Sequence, residues 1–319
     1  MKNFSSEFKT LDYIIEKSEK ILLFAHSGPD SDTTGSTLAL KEYLQKSGKK
    51  ADIGCFDPLP KFLEEMTSEK FIFPDHLDLN SYDAIIACDS VERGFHKIVD
   101  HFSLKQAIVL IDHHPDIKIQ GDVNIVDAAY SSVCEIIYNY FVFNQIQFNK
   151  IVASHLMTGI LGDTGNFQHS NTTSRVMEIA SELMKKGASI SKIMNTVFTN
   201  KKISTLKLWG KAFEKARINQ ENGMIVTVLT KKDIEECSST IEDIAQVASI
   251  LNTVPGTKFS LILSERENNV IKGSLRSEEY KKVNVSEIAH HFGGGGHQLA
   301  SGFEIKGKIV ERKNGWEII

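Results

Sequence analysis

The chain has 319 residues, enough for about two ordinary domains, and its 41% apolar and 24% charged residues describe a globular protein with ample core. A formal net charge of −4 argues against long duplex DNA as a partner, which calls for a basic face. It leaves room for a small anionic ligand, because metal ions would offset acids gathered in one site.

Residues 6–19 have helical spacing, with Phe8, Leu11, Ile14 and Ile15 on one face. Residues 21–25 read as a short buried strand ending in His26-Ser27-Gly28-Pro29-Asp30-Ser31-Asp32, and an amphipathic helix follows through Leu44. A second strand lies near 51–56, and a third, 83–88, delivers Asp89 to the same edge. Residues 107–111 are apolar and mostly β-branched, run into Asp112-His113-His114, and stop at Pro115. That is the pattern of a strand buried on both faces of a parallel sheet. Residues 123–126 suggest one more strand, and a helix follows from 131 to about 143. A helical pattern from 150 leads into Gly162-Asp163-Thr164-Gly165, with Asp163 opening a loop, and 172–186 form another helix with Gly187 as its C-cap.

Residues 189–216 read as a helical connector carrying Lys201, Lys202, Lys207, Lys211 and Lys215 on a solvated face. Strands are expected at 224–229, 258–263 and 270–275, with helices near 240–251 and 284–291. Gly293-Gly294-Gly295-Gly296-His297 lies between the last helix and a final strand pair. Strands alternating with helices imply an α/β fold whose sheet is mostly parallel, with helices on both faces. A smaller α+β domain follows the connector. Cys55, Cys88, Cys134 and Cys237 are scattered without a C-x-x-C pair, which suggests a reducing compartment. With no apolar signal region and no bilayer-length stretch, the expectation is a cytoplasmic protein that does not enter the membrane.

Ligands of open α/β sheets bind outside the carboxyl ends of the strands. His26, Asp30, Asp32, Asp89, Asp112, His113 and His114 all arrive at that edge, and Asp163 can fold back onto it. Each acid alone reads equally well as a turn or N-cap residue. Together they would repel one another unless cations sat among them. Imidazole and carboxylate donors without thiolate suit Mn²⁺, Fe²⁺ or Mg²⁺ better than a thiolate zinc site. Two acids separated by one residue, as in Asp30-Ser31-Asp32, can point at two neighbouring ions, the usual clamp for displacement at phosphorus.

In order and spacing, His26-Ser27-Gly28-Pro29-Asp30-Ser31-Asp32, Asp89, Asp112-His113-His114 and Gly162-Asp163-Thr164-Gly165 resemble the four motifs of the DHH phosphoesterases. Gly293-Gly294-Gly295-Gly296-His297 resembles the glycine-rich signature of the DHHA1 substrate domain. In size and layout the chain is most similar to the stand-alone nanoRNase/pAp-phosphatase type. The resemblance implies two divalent ions, with manganese the usual one. His26, Asp30 and Asp89 would hold the first, and Asp32, Asp89, His113 and Asp163 the second, with Asp89 bridging. His114 would face the scissile phosphate as a stabiliser or proton donor, and Asp112 would orient a histidine. Backbone N–H groups of the glycine run near a helix terminus or in a nest, together with His297 and Arg276, would hold the substrate.

The resulting expectation is a catalytic DHH domain over 1–188, a connector over 189–216 and a substrate-binding DHHA1 domain over 217–319, with the active site in the cleft between the domains. The expected reaction is metal-dependent hydrolysis of very short single-stranded RNA to nucleoside 5′-monophosphates, with 3′-phosphate removal from pAp as a second activity. A phosphodiesterase for cyclic dinucleotides or their linear products is the nearest alternative. A RecJ-like exonuclease, a manganese pyrophosphatase and a catalytically silent nucleotide-binding regulator rank below it. A homodimer is a family expectation.

Overall fold

In the computed structural model, which describes residues 2–115, 117–198, 202–244, 246–312 and 315–319, the chain forms two units, Met1–Asn200 and Lys201–Ile319. The first unit is built on β1 (Lys20–Phe24), β2 (Lys50–Gly54), β3 (Ala84–Cys88), β4 (Ala107–Asp112) and β5 (Val123–Val126), in sheet order β2-β1-β3-β4-β5. Every pairing is parallel, so the carboxyl ends of all the strands share one edge. The alternate faces of these strands are both buried. Ile21, Leu23, Ile86, Val109 and Ile111 enter one core, and Leu22, Phe24, Ile85 and Leu110 enter another.

The first core is covered by α1 (Ser5–Lys17), α2 (Ser31–Lys46), α3 (Val133–Phe143), α4 (Lys150–Asp163), α5 (Ser174–Lys185) and the short α6 (Ile190–Ile193). The helical cover of the second core is different. It consists of short 3-10 turns between residues 74 and 101, which pack Phe95, Ile98 and Phe102 against the sheet. Asp163 is the last residue of α4 rather than part of the loop after it. A π-helical turn at Met194–Phe198 follows α6.

The second unit opens with α7 (Ile203–Glu214), whose Leu208 and Ala212 join its core. Its sheet contains β6 (Arg217–Asn219), β7 (Met224–Leu229), β8 (Phe259–Arg266), β9 (Val270–Arg276), β10 (Gly295–His297) and β11 (Ala300–Lys306), in the order β10-β11-β9-β8-β7-β6. Only the β7–β8 pair is parallel, as expected of a mixed α+β domain. Helices α8 (Lys231–Glu236), α9 (Val247–Leu251) and α10 (Val285–His291) pack with it, and β12 (Ile309–Arg312) pairs with β13 (Gly315–Ile318) as a separate ribbon. The expected lysine face on α7 is partly tied down: Lys211 pairs with Asp233 and Glu236, and Lys215 with Asp233 and Glu311. Lys201 lies outside the described residues. All four cysteines are free and buried. Among the described residues no helix is long and apolar enough to cross a membrane.

Candidate metal centre

The chemistry-bearing residues of the first unit collect where its strands end. His26 follows β1 by two residues, Asp89 directly follows β3, and Asp112 closes β4 with His113 and His114 behind it. Asp30 is the N-cap of α2, its Oδ1 accepting from the Asp32 and Thr33 amides, while its Oδ2 lies 3.1 Å from His26 Nε2. The N-cap role of Asp30 thus occupies one carboxylate oxygen and leaves the other facing His26. Asp32 is fully buried, and its two oxygens accept from the first amides of α3: Oδ2 from Val133 at 2.7 Å and Oδ1 from Cys134 at 2.9 Å. A helix N-terminus favours such an anion.

Asp89 sits at the centre. Its Oδ2 lies 3.5 Å from His26 Nε2, and its Oδ1 lies 3.6 Å from His113 Nε2. One carboxylate thus faces two separate donor groups. His26, Asp30 and Asp89 bring one atom each within 4.8 Å of one another, and so do Asp32, Asp89 and His113. Asp163 lies beside the second group, its Oδ2 3.0 Å from His113 Nε2. Asp89 holds a left-handed backbone at φ 57°, a conformation that costs a non-glycine residue about 1–3 kcal/mol and clusters at functional sites.

Both histidines are aimed by backbone carbonyls. His26 Nδ1 lies 2.9 Å from the Ser27 oxygen and His113 Nδ1 3.3 Å from the Tyr130 oxygen. Donation from Nδ1 to those oxygens leaves the Nε2 lone pair facing the acids, the arrangement of a metal-bound imidazole. His26 Nε2 and Asp89 Oδ1 are buried with no hydrogen-bond partner among the described residues. Buried polar atoms without a well-aligned partner are costly, and a divalent cation in each donor group would satisfy the one that faces it. The donor set of imidazole nitrogen and carboxylate oxygen fits such an ion.

Electrostatics point the same way. Burial, then the charges of Asp163 and Asp89, pushes the Asp32 carboxyl well above its ordinary value. Asp163 is raised as well, by burial that His113 only partly offsets. Burial also acts on Asp30, but His26 and Arg93 overcome it and hold the carboxyl low. On Asp89 burial is overcome by His114 and His26. Burial would lower His113, yet Asp163 and Asp89 hold it well above its ordinary value. Without cations the cluster keeps its charges apart by holding protons, and a metal ion would replace them.

His114 is set slightly apart. Its Nδ1 lies 2.7 Å from Asp112 Oδ1 and 3.2 Å from Asp89 Oδ1. Those two acids outweigh burial and raise its pKa to about 9. Asp112 also accepts from the His114 and Val91 amides, so it orients the imidazole and ties it to the loop after β3.

In the second unit, Arg276 ends β9 opposite Ala300, and its Nη1 donates to the neighbouring Leu275 oxygen at 2.8 Å. Burial alone pushes its guanidinium down from its ordinary value. The expectation for the glycine run is a place near a helix terminus or in a nest, and the terminus it adjoins gives no dipole help to an anion. The run follows the C-terminus of α10, the wrong end of a helix dipole for an anion, and residues 295–297 are strand β10, paired with β11. Compact glycines let the run fold back from the helix and pair with the next strand, and the sequence gives no strand period over so short a stretch.

One residue of the site was not singled out from the sequence. Arg93 Nη1 lies 3.6 Å from Asp30 Oδ2 and 4.0 Å from Asp89 Oδ2. Its position four residues past Asp89, beyond the same strand end, was the available signal.

Residues 20–160 match the model of the DHH family, N-terminal domain, and residues 222–314 match that of the DHHA1 domain. The probable bifunctional oligoribonuclease and PAP phosphatase NrnA of Streptococcus mutans is 31% identical over 92% of each chain. The bifunctional oligoribonuclease and PAP phosphatase NrnA of Bacillus subtilis is 29% identical over 90% of each chain. A crystal structure of an exopolyphosphatase-related protein from Bacteroides fragilis superposes with a TM-score of 0.87 at 25% identity, covering 95% of this chain and 92% of that one. Fold, donor groups and relatives converge: the chain belongs to the DHH family in its two-domain DHH–DHHA1 form and is a metal-dependent phosphoesterase.

Proposed function

We propose that this enzyme hydrolyses the phosphodiester of very short oligoribonucleotides and removes the 3′-phosphate of pAp, using two divalent ions, manganese by preference, in the cytoplasm. The observation that carries this reading is the split role of Asp89, one oxygen toward His26 and the other toward His113. The names of the relatives supply the substrate class. The mixed imidazole and carboxylate donors suit Mn²⁺, Fe²⁺ or Mg²⁺, and the choice of manganese rests on the family resemblance.

His26, Asp30 and Asp89 would hold one ion, and Asp32, Asp89, His113 and Asp163 the other. When bound, two such ions supply an activated water and offset charge developing on the phosphoryl oxygens. The remaining work belongs to the chain. The Ser27 and Tyr130 carbonyls hold His26 and His113 in the tautomer that presents Nε2. Asp112 fixes His114 through Nδ1, and we assign its Nε2 to a phosphoryl oxygen, which it stabilises, or to the leaving oxygen, which it protonates. Arg276, Gly293, Gly294, Gly295, Gly296 and His297 are assigned to substrate binding.

The test is turnover by purified protein with Mn²⁺ on pAp, RNA of two to five nucleotides and cyclic dinucleotides. Hydrolysis of pAp and of linear dinucleotides ahead of cyclic ones is expected. A cyclic dinucleotide preferred over every linear one would replace this reading with a cyclic-dinucleotide phosphodiesterase. No turnover of any phosphoester would replace it with a nucleotide-binding regulator.

A further inference from the structure

Arg93 is a cation placed among the acids that would hold a metal, and its geometry is not that of a structural clamp. A built arginine–carboxylate pair closes to about 2.7–2.9 Å, often through two parallel bonds. Arg93 Nη1 stays 3.6 Å from Asp30 Oδ2 and 4.0 Å from Asp89 Oδ2. The backbone beneath it is fixed. Its carbonyl accepts from the Ser27 amide at 2.7 Å and its amide donates to the Ser90 oxygen at 3.1 Å. Gly94, at φ 144°, brings the next residue so close that a Cβ would lie 3.3 Å from Ser27 Oγ. The base of the side chain is thus locked against the loop carrying His26, while the side chain itself is 43% exposed. Asp30, its nearer partner, is 42% exposed on the same open side. Its basic neighbour Lys97 is engaged elsewhere, over the Phe56 ring.

We propose that Arg93 is a phosphate ligand released by metal loading: it screens Asp30 and Asp89 in the unloaded protein and turns to a non-bridging phosphate oxygen once an ion takes those acids. Two cations competing for the same carboxylates at a few ångströms repel, and the guanidinium is the one on a flexible stem with open solvent beside it. A planar fork of donors suits a phosphate oxygen pair. This inference rests on the phosphoesterase reading above, and it makes Arg93 a specificity-determining residue for phosphate rather than a metal ligand.

The test compares wild type with Arg93→Gln and Arg93→Lys, after melting curves establish that each variant is folded. Mn²⁺ binding is measured without substrate by electron paramagnetic resonance, and kcat and KM are measured on pAp and a linear diribonucleotide. Removing the competing charge in Arg93→Gln should tighten Mn²⁺ binding at one site about three- to tenfold. The same variant should raise KM about tenfold with little change in kcat, the signature of lost ground-state grip. Arg93→Lys should fall between the two. Weaker Mn²⁺ binding in Arg93→Gln would overturn the proposal and make Arg93 an organiser of the acids. Unchanged KM with active wild type would also overturn it. An inactive wild type would overturn the parent reading instead, and the phosphate role with it, while the Mn²⁺ titration would still decide whether Arg93 competes for the acids.

Discussion

At the scale of single residues, Asp89 tests the centre most directly. It is 2% exposed, bridges two donor groups and holds φ 57°. Asn is the substitution of choice, because it tolerates the left-handed backbone better than Ala. Asp89→Asn should leave a folded protein whose turnover falls to background. The rise in melting temperature that Mn²⁺ confers on the wild type through binding to the native state should disappear as well. A variant that kept both would remove Asp89 from the centre. The candidate donors His26, Asp89 and Asp112 to His114 were legible because strand ends in a parallel sheet are few and these three carried an acid or a histidine. Their supports were not. The Ser27 and Tyr130 carbonyls that aim the histidines have no side-chain signature. Nor does sequence spacing reveal that the N-terminus of α3 reaches Asp32 across 101 positions.

At the scale of elements, the centre depends on how closely α4 approaches α2 and α3. Gly159 of α4 makes the approach possible: a Cβ there would lie 2.2 Å from Cys134 Sγ and 2.7 Å from Asp32 Oδ1. Gly159→Ala should therefore destabilise by about 1–3 kcal/mol through overpacking. It should also weaken metal binding by pushing Asp32, whereas a midpoint shift in denaturant with intact metal binding would separate packing from the site. One turn earlier on α4, His155 is 5% exposed, and burial lowers its pKa from 6.5 to about 4 with only the charge of Glu42 opposing. The unfolded chain then binds the extra proton, so its contribution is complete above pH 6.5 and is lost as pH falls toward 4. His155→Gln should lose less stability than wild type on acidification, by about 2 kcal/mol near pH 5. Parallel acid curves for the two proteins would mean that His155 does not titrate this way. The strands and long helices of the first unit follow their periodicities because each buries a continuous face. Residues 74–101 do not, since single 3-10 turns are too short to show a period. The four-residue α6 and the single π-helical turn after it are too short for the same reason.

At the scale of the whole molecule, a net charge of −4 bears on how long a substrate the enzyme can hold. A protein that tracks a single strand needs a basic groove and stacking platforms along its path. Here Lys211 of α7 and Lys215 just beyond it are paired with Asp233, Glu236 and Glu311, which removes them as phosphate contacts. The grip we propose in the first unit is compact: the candidate metal centre with His114 and Arg93 beside it. That set engages about two or three phosphates, so log KM should change with log salt with a slope of about 1.5–2, from roughly 0.7 per phosphate on a single strand. The slope should stay the same as RNA lengthens beyond about four nucleotides, and single-turnover rates with Mn²⁺ should peak at about two to four, as follows from a grip complete within those phosphates. Both quantities can be read from one series of single-stranded RNAs at several salt concentrations. A slope that steepened with length, with rates rising to twenty-mers, would instead mean a continuous basic path and an exonuclease working on long strands.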